Sequence, residues 1–487
     1  MKKISFLILL AAGTFSCSKD YLDVNSTPNN PTSVPPSTIL PNTTIGMAFA
    51  NANDLNRAAS VLVQHTAGVA NQVAAYDVFA LDGAFDNQWN FEIYNGCINN
   101  LQILIDQHSA TSPAYSGVAK IEMAYVFSMA TDLWGDIPYS QAGQGLKYET
   151  PRFDKVEDIY KGNTTLGITS LFDLVKSGIA DLDKTSNLLK PSSIDDKIYG
   201  GDLTKWKRAA NTLLLKFAMQ ISNKEPALAK STIESVLAAN LFINANNLDF
   251  EVPFGSAVGN RNPIFDFNNN LRTGDMMLSS RLYTLSRSIN DTVRLGKFFT
   301  KPTNATNTFT GFNNGSTAAA PTLAARSKYN TYLTGAVGGE APVRLLTNFQ
   351  ANFILAEACL KLGVAGDPNA YYQAGIRASM EKVGMTTTEI NNYFATNPTV
   401  VTLTGTTDDK LKQIITQKYM AWIGNGIEAY NDYRRTGYPV LALPLNAVGD
   451  NPNVIPTRLP YTPAELARNP NAPNPRPKTD VKLWWAL

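Results

Sequence analysis

Apolar side chains recur every three or four positions along much of the chain, the spacing that aligns them on one face of an α-helix. The clearest stripes are Trp89, Ile93, Cys97, Leu101 and Leu104; Ile121, Tyr125 and Met129; Trp206, Ala210, Leu213, Phe217 and Ile221; Phe353, Ala356 and Leu360; and Leu411, Ile415, Tyr419 and Trp422. The sequence therefore predicts a protein built mainly of amphipathic helices.

The predicted helices follow one another in pairs that are joined by short linkers. The pairs are 89–107 with 115–133, 156–183 with 204–222, 348–362 with 369–382, and 409–423 with 426–435. In the third pair, Gly363 lies just past the first helix and Pro368 at the start of the second, as is typical of helix ends. Although no fixed period repeats, we expect a mainly α fold in which about four tetratricopeptide-like helix pairs form one scaffold.

A different kind of sequence separates the second pair from the third. Residues 245–347 are rich in Asn, Gly, Thr and Phe, and no strong helical stripe spans them. Long irregular segments inside a compact protein are usually functional or mobile. We expect a single domain that spans residues 46–487 and contains this loop-rich insertion.

The first residues have the pattern of an export signal. Lys2 and Lys3 precede an apolar run from residue 4 to residue 12, which is too short to cross a bilayer as a helix. Cys17 follows, as in bacterial lipoprotein signals, so we expect residues 1–16 to be removed and the Cys17 thiol to carry lipid. A secreted protein with a free thiol at this position is the alternative. Residues 17–45, which are rich in Pro and Asn, are expected to form a flexible tether.

Charge and composition exclude several classes of protein. Of 487 residues, 42 are Lys or Arg and 40 are Asp or Glu, so a formal charge of +2 lacks the basic excess of a nucleic-acid binder. His65 and His108, the two histidines, are too far apart for an H-E-x-x-H zinc site. Cys97 and Cys359 lie in apolar helical patterns and are expected to be buried thiols. We expect no metal and no cofactor, and membrane attachment through lipid alone.

Several short strings match one protein family in the family's own order. They are Y-L-D-V-N at 21–25, D-L-W-G-D-I-P-Y-S-Q-A at 132–142, Y-G-G-D-L-T-K-W at 199–206, A-E-A at 356–358, Y-Q-A-G-I-R-A-S at 372–379, Q-K-Y at 417–419, Y-R-R-T-G-Y-P at 433–439 and I-P-T-R-L at 455–459. Over nearly its whole length the chain resembles the SusD/RagB family of outer-membrane nutrient-binding lipoproteins. Most of these strings suit helix ends and packing, so we expect mainly architectural roles for them.

The resemblance implies a location, a function and partners. Members of this family lie on the outer face of the outer membrane, where they cap a SusC-like TonB-dependent transporter. They capture a glycan, an oligopeptide or another nutrient for import, and they do so without catalysis. The resemblance also implies a scaffold of tetratricopeptide-like helix pairs whose loops and insertions bind the ligand, so we expect the insertion of residues 245–347 to lie on the ligand side.

The candidate ligand-binding residues come from two clusters outside the strongest helical stripes. Aromatic rings suit the apolar face of a sugar, and Asn or Arg side chains suit its hydroxyl groups. The candidates are Tyr76, Phe79, Trp89 and Asn90 in the first cluster, and Phe254, Arg261 and Phe265 in the second. Two plainer interpretations stay open, because Trp89 also continues a core stripe and the second cluster is also consistent with a loop that packs on itself.

Other chemistries have weaker support. Residues 424–429 match G-x-G-x-x-A, but a helical pattern precedes them where a dinucleotide fold requires a strand. A glycosidase needs two carboxylates across a cleft. The most evident pairs, Asp132 with Asp136 and Asp195 with Asp196, suit a helix end and a turn. A surface glycan-degrading enzyme on an α-helical scaffold is the alternative function.

Overall fold

The computed structural model describes residues 34–186, 188–303 and 308–487. The predicted signal peptide, Cys17 and most of the predicted tether lie outside these residues. Helices dominate the described chain and its strands are short, which confirms the predicted mainly α fold.

The helices and strands follow in an order that places most strands beside the insertion. The α-helices are α1 (Pro36–Ala52), α2 (Asp54–Leu62), α3 (Asn71–Asp77), α4 (Asn99–His108), α5 (Pro113–Trp134), α6 (Val156–Lys161), α7 (Leu171–Leu182), α8 (Leu203–Ile221), α9 (Pro226–Ala239), α10 (Pro263–Phe265), α11 (Ser280–Ser288), α12 (Thr292–Phe298), α13 (Thr331–Thr334), α14 (Asn348–Leu362), α15 (Pro368–Lys382), α16 (Thr387–Thr396), α17 (Pro398–Val401), α18 (Thr407–Ala421), α19 (Gly426–Thr436) and α20 (Pro463–Arg468). The first and second π-helices are Gln88–Ile98 and Asp266–Leu271. The strands are β1 (Thr66–Gly68), β2 (Ile137–Pro138), β3 (Phe153–Asp154), β4 (Phe250–Val252), β5 (Met276–Leu278) and β6 (Val343–Leu346).

The predicted helix pairs are present, with one correction. The first π-helix with α4 precedes α5, α14 precedes α15, and α18 precedes α19, as expected. The predicted helix 156–183 is wrong, because two helices, α6 and α7, occupy that range. Gly162, with a φ of 79°, ends α6, and the side chain of Ser170 accepts the Asp173 N–H to begin α7.

The predicted tether ends before residue 45, because α1 begins at Pro36. Proline suits the first turn of a helix, where its missing N–H needs no partner. Leu40 and Met47 are completely buried, and α1 packs against the first π-helix. Residues 36–45 therefore belong to the folded scaffold.

A completely buried carboxyl group joins α1 to α5. Thr44 Oγ1 donates to Glu122 Oε1 over 2.6 Å, and Thr43 Oγ1 lies 3.0 Å from Glu122 Oε2 and 2.9 Å from the Leu40 carbonyl oxygen. Burial raises the pKa of Glu122 to about 8. A protonated Glu122 can donate to Thr43 Oγ1, whose own hydrogen then points to Leu40, so each of these oxygens has a partner.

Two short antiparallel pairings shape the insertion. β4 pairs with β6, which joins the two ends of residues 245–347. β5 pairs with β1, so that Leu278 lies opposite Thr66. The first pairing therefore closes the insertion on itself, and the second attaches its middle to the N-terminal part of the chain.

Several of the family-like strings meet at the C-terminal end of α5. Trp134 is completely buried, and its Nε1 donates to the Pro460 carbonyl oxygen over 2.9 Å. Arg434 Nη1 donates to the Thr457 carbonyl oxygen over 3.0 Å, and Arg458 donates to the Trp134 carbonyl oxygen. These contacts give the strings the architectural role that the sequence predicted.

Cys97 is buried as expected, whereas Cys359 is only half-buried. Within the part of the chain that the structure describes, no helix combines the length and apolar character that a membrane span requires.

We expect the buried Glu122 to make stability depend on pH. Its pKa is 4.5 in an ordinary setting and about 8 here, so between these values the native state holds a proton that the unfolded state lacks. The free energy of unfolding should therefore fall as pH rises from 4.5 to 8. Glu122→Gln, which is neutral at every pH, should make this decline shallower by at most about 1.4 kcal/mol per pH unit, while other buried carboxyl groups such as Asp132 keep their share of it.

Denaturant titrations of both proteins at pH 5 and pH 8 measure the difference. Glu234→Gln on the exposed face of α9 is the matched control and should leave the pH dependence as it is. If the free energy of unfolding changed with pH equally in the wild type and in Glu122→Gln, the raised pKa of Glu122 would be contradicted.

Gly426 allows the N-terminus of α19 to lie directly against α2. A Cβ atom at this position would be 2.3 Å from the backbone nitrogen of Ser60. We expect Gly426→Ala to lower the free energy of unfolding by about 1–3 kcal/mol or more, because backbone cannot move aside as a side chain can. Gly296→Ala on α12 is the control, since its Cβ would meet only Phe309 Cζ at 3.6 Å. Equal losses of stability in the two variants would refute the close contact.

Candidate functional site

Two of the predicted ligand contacts, Tyr76 and Phe79, lie in the core. Tyr76 is 1% exposed; its hydroxyl donates to Asp54 Oδ2 over 2.8 Å, and its ring stacks on Phe85. Phe79 is 4% exposed and packs against Gly449. Neither ring is available to stack on a sugar, so neither residue belongs to the candidate surface.

Trp89 is also a core residue, as the plainer interpretation of its helical stripe predicted. It is 2% exposed, and its ring contacts those of Trp134 at 5.1 Å and Tyr461 at 6.2 Å between centroids. Its Nε1 points outward and donates to Glu465 Oε2 over 3.3 Å. Trp89 therefore forms the floor of a surface groove and does not offer its ring face.

The groove lies along the first π-helix. Because a π-helix closes its hydrogen bonds between residues i and i+5, Asn90 and Asn95 occupy successive turns of one face. Asn99 follows at the α-helical spacing of four and donates from Nδ2 to Asn95 Oδ1 over 2.9 Å. Gly96 permits the close backbone approach, since a Cβ there would be 2.6 Å from the Phe91 carbonyl oxygen. A row of asparagines therefore forms one wall.

The loop after β2 forms the other wall. Gln141, Gln144 and Tyr148 face the groove from this side. The loop is held by Asp154, whose Oδ2 accepts the Ser140 N–H over 2.6 Å, and its turn needs Gly143, which has a φ of 72°. The loop therefore continues directly from the D-L-W-G-D-I-P-Y-S-Q-A string.

We call this cleft of about 290 Å³ the amide groove. Its amide side chains are Asn90, Asn95, Asn99, Gln141 and Gln144, its rings belong to Tyr94 and Tyr148, and its acids are Glu149 and Glu465.

The amides present a mixture of free donors and acceptors. Asn90 Nδ2 donates to the Asp86 carbonyl oxygen, and Gln141 Oε1 accepts the Arg152 N–H. Their opposite ends, Asn90 Oδ1 and Gln141 Nε2, have no partner among the described residues, and the same holds for Asn95 Nδ2. Each sugar hydroxyl can donate and accept a hydrogen bond, so such a mixture matches it.

Tyr148 provides the tyrosine side chain of the groove that the fold constrains least. It is half-buried, its hydroxyl has no partner in the described part of the chain, and Lys147 Nζ lies 5.0 Å from its ring centroid. Tyr94 is fixed instead, because its hydroxyl donates to the Pro138 carbonyl oxygen over 2.8 Å. One aromatic face beside several amides is a suitable arrangement for one or two sugar rings.

The second predicted cluster is not part of this groove. Arg261 lies 5.5 Å from the ring centroid of Phe265 and donates from Nε to the Ser256 carbonyl oxygen, and Phe254 meets Phe49 edge-on at 5.9 Å. All three predicted residues are half-buried. The contacts of Arg261 and Phe265 agree with the interpretation of a loop that packs on itself, whereas Phe254 packs against Phe49 of α1.

A relay through Arg57, which sequence reasoning missed, connects the two clusters. The Arg57 guanidinium lies 3.9 Å from the ring centroid of Phe267 in the second π-helix, and its Nη1 donates to Asn53 Oδ1 over 2.8 Å. Asn53 in turn donates to Glu92 Oε1 of the first π-helix over 2.6 Å. This relay fixes the insertion against the back of the π-helix that carries the groove.

Only Trp89 and Asn90 among the predicted residues line the amide groove. Sequence reasoning missed Asn95, Asn99 and Tyr148. The spacing of Asn90, Asn95 and Asn99 would have predicted one polar face only if a π-helical turn between Asn90 and Asn95 had been assumed.

The residues considered for glycoside hydrolysis and for dinucleotide binding have structural roles. Asp132 is buried with the Tyr160 hydroxyl at 2.9 Å, and burial raises its pKa to about 7. Asp196 accepts four donors, among them Trp206 Nε1 over 2.8 Å. The G-x-G-x-x-A string follows α18 and not a strand, as predicted. No group of three His, Cys, Asp or Glu placed to hold a metal occurs in residues 34–186, 188–303 and 308–487.

The chain is similar in structure to several solved proteins. A chitin-binding SusD homologue from Flavobacterium johnsoniae has 22% identity and a TM-score of 0.75, over 93% of this chain and 97% of that one. A SusD homologue from Bacteroides uniformis has 23% identity and a TM-score of 0.74, over 93% and 98%. A SusD homologue from Bacteroides thetaiotaomicron has 19% identity and a TM-score of 0.77, over 93% of this chain and 99% of that one. At these identities the likeness shows the fold.

A sequence comparison extends this result. No match was found among curated proteins. A profile of the SusD-like family, described as starch-binding and associating with the outer membrane, matches residues 28–462. Because this match covers most of its length, the chain belongs to the SusD-like family.

Proposed function

We propose that the protein is a non-catalytic glycan-binding lipoprotein of the outer membrane. The observation that carries the proposal is the amide groove, in which uncommitted amide groups from two walls face one accessible tyrosine ring. The family description names starch, and a similar solved structure is named as chitin-binding. Both polymers are neutral glycans rich in hydroxyl groups, which is the chemistry that the groove accommodates.

The groove suits a neutral ligand better than a charged one. Its amides carry no charge, and Glu465 is occupied by Trp89 Nε1 and by Asn469 Nδ2 at 2.9 Å. Glu149 is exposed at the rim. An amide can donate to one hydroxyl and accept from the next, so recognition requires no ionic partner.

A glycan-degrading enzyme is the alternative function. Its two catalytic carboxylates would have to be Glu149 and Glu465, the acidic residues that line the groove. Glu465 already accepts two hydrogen bonds from the fold, which favours a structural role for this group.

We further propose that the protein delivers its ligand to a SusC-like TonB-dependent transporter, as the family resemblance implies. Lipid on Cys17 would hold the domain at the membrane surface and facing the cell exterior. Several acyl chains give a firm anchor, because each buried CH₂ contributes about 0.8 kcal/mol.

Two substitutions in the amide groove test the glycan site. We expect Asn95→Ala and Tyr148→Ala each to weaken binding of maltohexaose or chitohexaose about tenfold, which corresponds to about 1.4 kcal/mol. Tyr148→Phe should retain more affinity than Tyr148→Ala, because it keeps the ring and loses only the hydroxyl group. Isothermal titration calorimetry of the lipid-free protein measures each dissociation constant.

Asn392→Ala on the exposed face of α16 is the matched control and should bind like the wild type. The glycan site is refuted if neither oligosaccharide binds, or if both groove variants keep full affinity. Release of new reducing ends during the titrations, abolished by Glu149→Gln, would establish the enzyme instead.

The anchor has its own test in cells that express the full chain. We expect wild-type protein in the outer-membrane fraction, accessible to external protease and co-purifying with a large β-barrel protein. Cys17→Ser should leave that fraction, because no acyl group can attach to it. Wild-type protein that is soluble in the periplasm would overturn both the location and the delivery role.

A further inference from the structure

The asparagine wall of the amide groove is carried by the first π-helix, and a carboxyl group lies on the other side of the same turn. Asn90 and Asn95 line the groove. Glu92 lies between them in the chain, and two residues along a helix turn a side chain to roughly the opposite side. Glu92 is half-buried and is not part of the groove lining. It is therefore placed behind the asparagine wall.

A short hydrogen bond attaches Glu92 to the junction between α1 and α2. Asn53, the residue between these two helices, donates from Nδ2 to Glu92 Oε1 over 2.6 Å. Both helices bury most of their side chains in the core, so Asn53 is attached to a firmly packed part of the scaffold. The bond therefore connects the back of the π-helix to elements that do not belong to the groove.

Arg57 decides which end of the Asn53 amide faces Glu92. Asn53 Oδ1 accepts from Arg57 Nη1 over 2.8 Å, which leaves the Nδ2 end as the donor for Glu92. Arg57 is itself held in place, because its Nη2 donates to Asp54 Oδ1 over 3.0 Å and Asp54 Oδ2 accepts the Tyr76 hydroxyl over 2.8 Å. The donor that Glu92 meets is thus oriented by the fold.

The middle turn of the π-helix is held by directional bonds from two sides. Within the described chain, two side chains of residues 90–95 form hydrogen bonds with elements that are not continuous with this helix. Tyr94 donates to the Pro138 carbonyl oxygen on the groove side, which ties the turn to the other wall. Glu92 accepts from Asn53 on the back. Apolar packing adds attraction without direction, so these two bonds set how the turn is rotated.

Rotation of this turn would change what the groove offers to a sugar. Asn90 Oδ1 and Asn95 Nδ2, which have no partner among the described residues, are the free groups of this wall. A hydrogen bond weakens steeply when donor and acceptor are misaligned. Binding groups therefore need a surrounding shell of hydrogen bonds that holds them in register.

We propose that Glu92 is a positioning residue of the glycan site, which holds the asparagine wall in register without touching the ligand. The bond from Asn53 fixes the turn from behind, and Arg57 fixes Asn53. Because Arg57 stacks on Phe267, the insertion supports the site through the same relay. This inference rests on the proposed function, since it concerns how the same groove is held.

Exchanging the donor and the acceptor tests the bond in isothermal titrations with maltohexaose and chitohexaose at pH 8. We expect Glu92→Ala to weaken binding about fivefold. Asn53→Asp, which keeps the acceptor for Arg57 but removes the donor for Glu92, should weaken it similarly. Asn53→Asp combined with Glu92→Gln restores a donor and an acceptor in reversed order and should bind within about twofold of the wild type. Glu234→Ala on the exposed face of α9 is the matched control.

Coupling to the two walls separates positioning from a general loss of structure. In the Glu92→Ala background, Asn95→Ala should add less than about a twofold loss, because the turn that carries Asn95 has already moved. Tyr148→Ala, on the other wall, should keep its full loss of about tenfold. A full additional loss for Asn95→Ala in that background would overturn the proposal.

Hydrogen exchange of the ligand-free protein gives a measurement that needs no glycan. The backbone amides of residues 92–98 should exchange about fivefold faster in Glu92→Ala than in the wild type, and the variant with exchanged donor and acceptor should restore the slow rates. Unchanged exchange in Glu92→Ala, affinity within twofold of the wild type, or no recovery in the double variant would each sink the positioning role. Wild-type protein that binds neither oligosaccharide would instead refute the glycan site.

Discussion

The amide groove depends on buried arginines that bind the C-terminal end of α5. The last carbonyl groups of a helix have no partner within it, and a buried helix end must find donors elsewhere. Arg434 donates to the Asp132 carbonyl oxygen and Arg458 to the Trp134 carbonyl oxygen. Burying two guanidinium groups is costly unless their donors are used, so these bonds fix α19 and the C-terminal segment against α5. The chain that leaves this junction then builds one wall of the amide groove.

The other wall depends on a departure from α-helical geometry. A continuous α-helix through Gln88–Ile98 would carry Asn90 and Asn95 to different faces, because five residues exceed one α-helical turn by about 140°. The π-helical turn brings them together, and Asn99 follows on the same side. Rare π-helical turns occur frequently at functional sites. Here the turn sets the spacing of the polar groups on which the glycan proposal is built.

The chemistry of the amide groove comes from side-chain groups that the fold leaves unused. The groove offers uncharged side-chain donors and acceptors beside a tyrosine ring. A scaffold of packed helices can support such a surface, since binding there does not require the helices themselves to move.

The sequence by itself determined the helical class, three of the helix pairs and the family, because periodic apolar positions and local helix ends are properties of neighbouring residues. It could not determine that Tyr76, Phe79 and Trp89 are buried, since an aromatic residue near either end of a helix is equally compatible with core and surface. Nor could it bring Tyr148 and Asn95 to the same cleft, because residues far apart in the chain supply the two walls of the amide groove. Those contacts exist only when the helices have packed, and tertiary structure alone decided them.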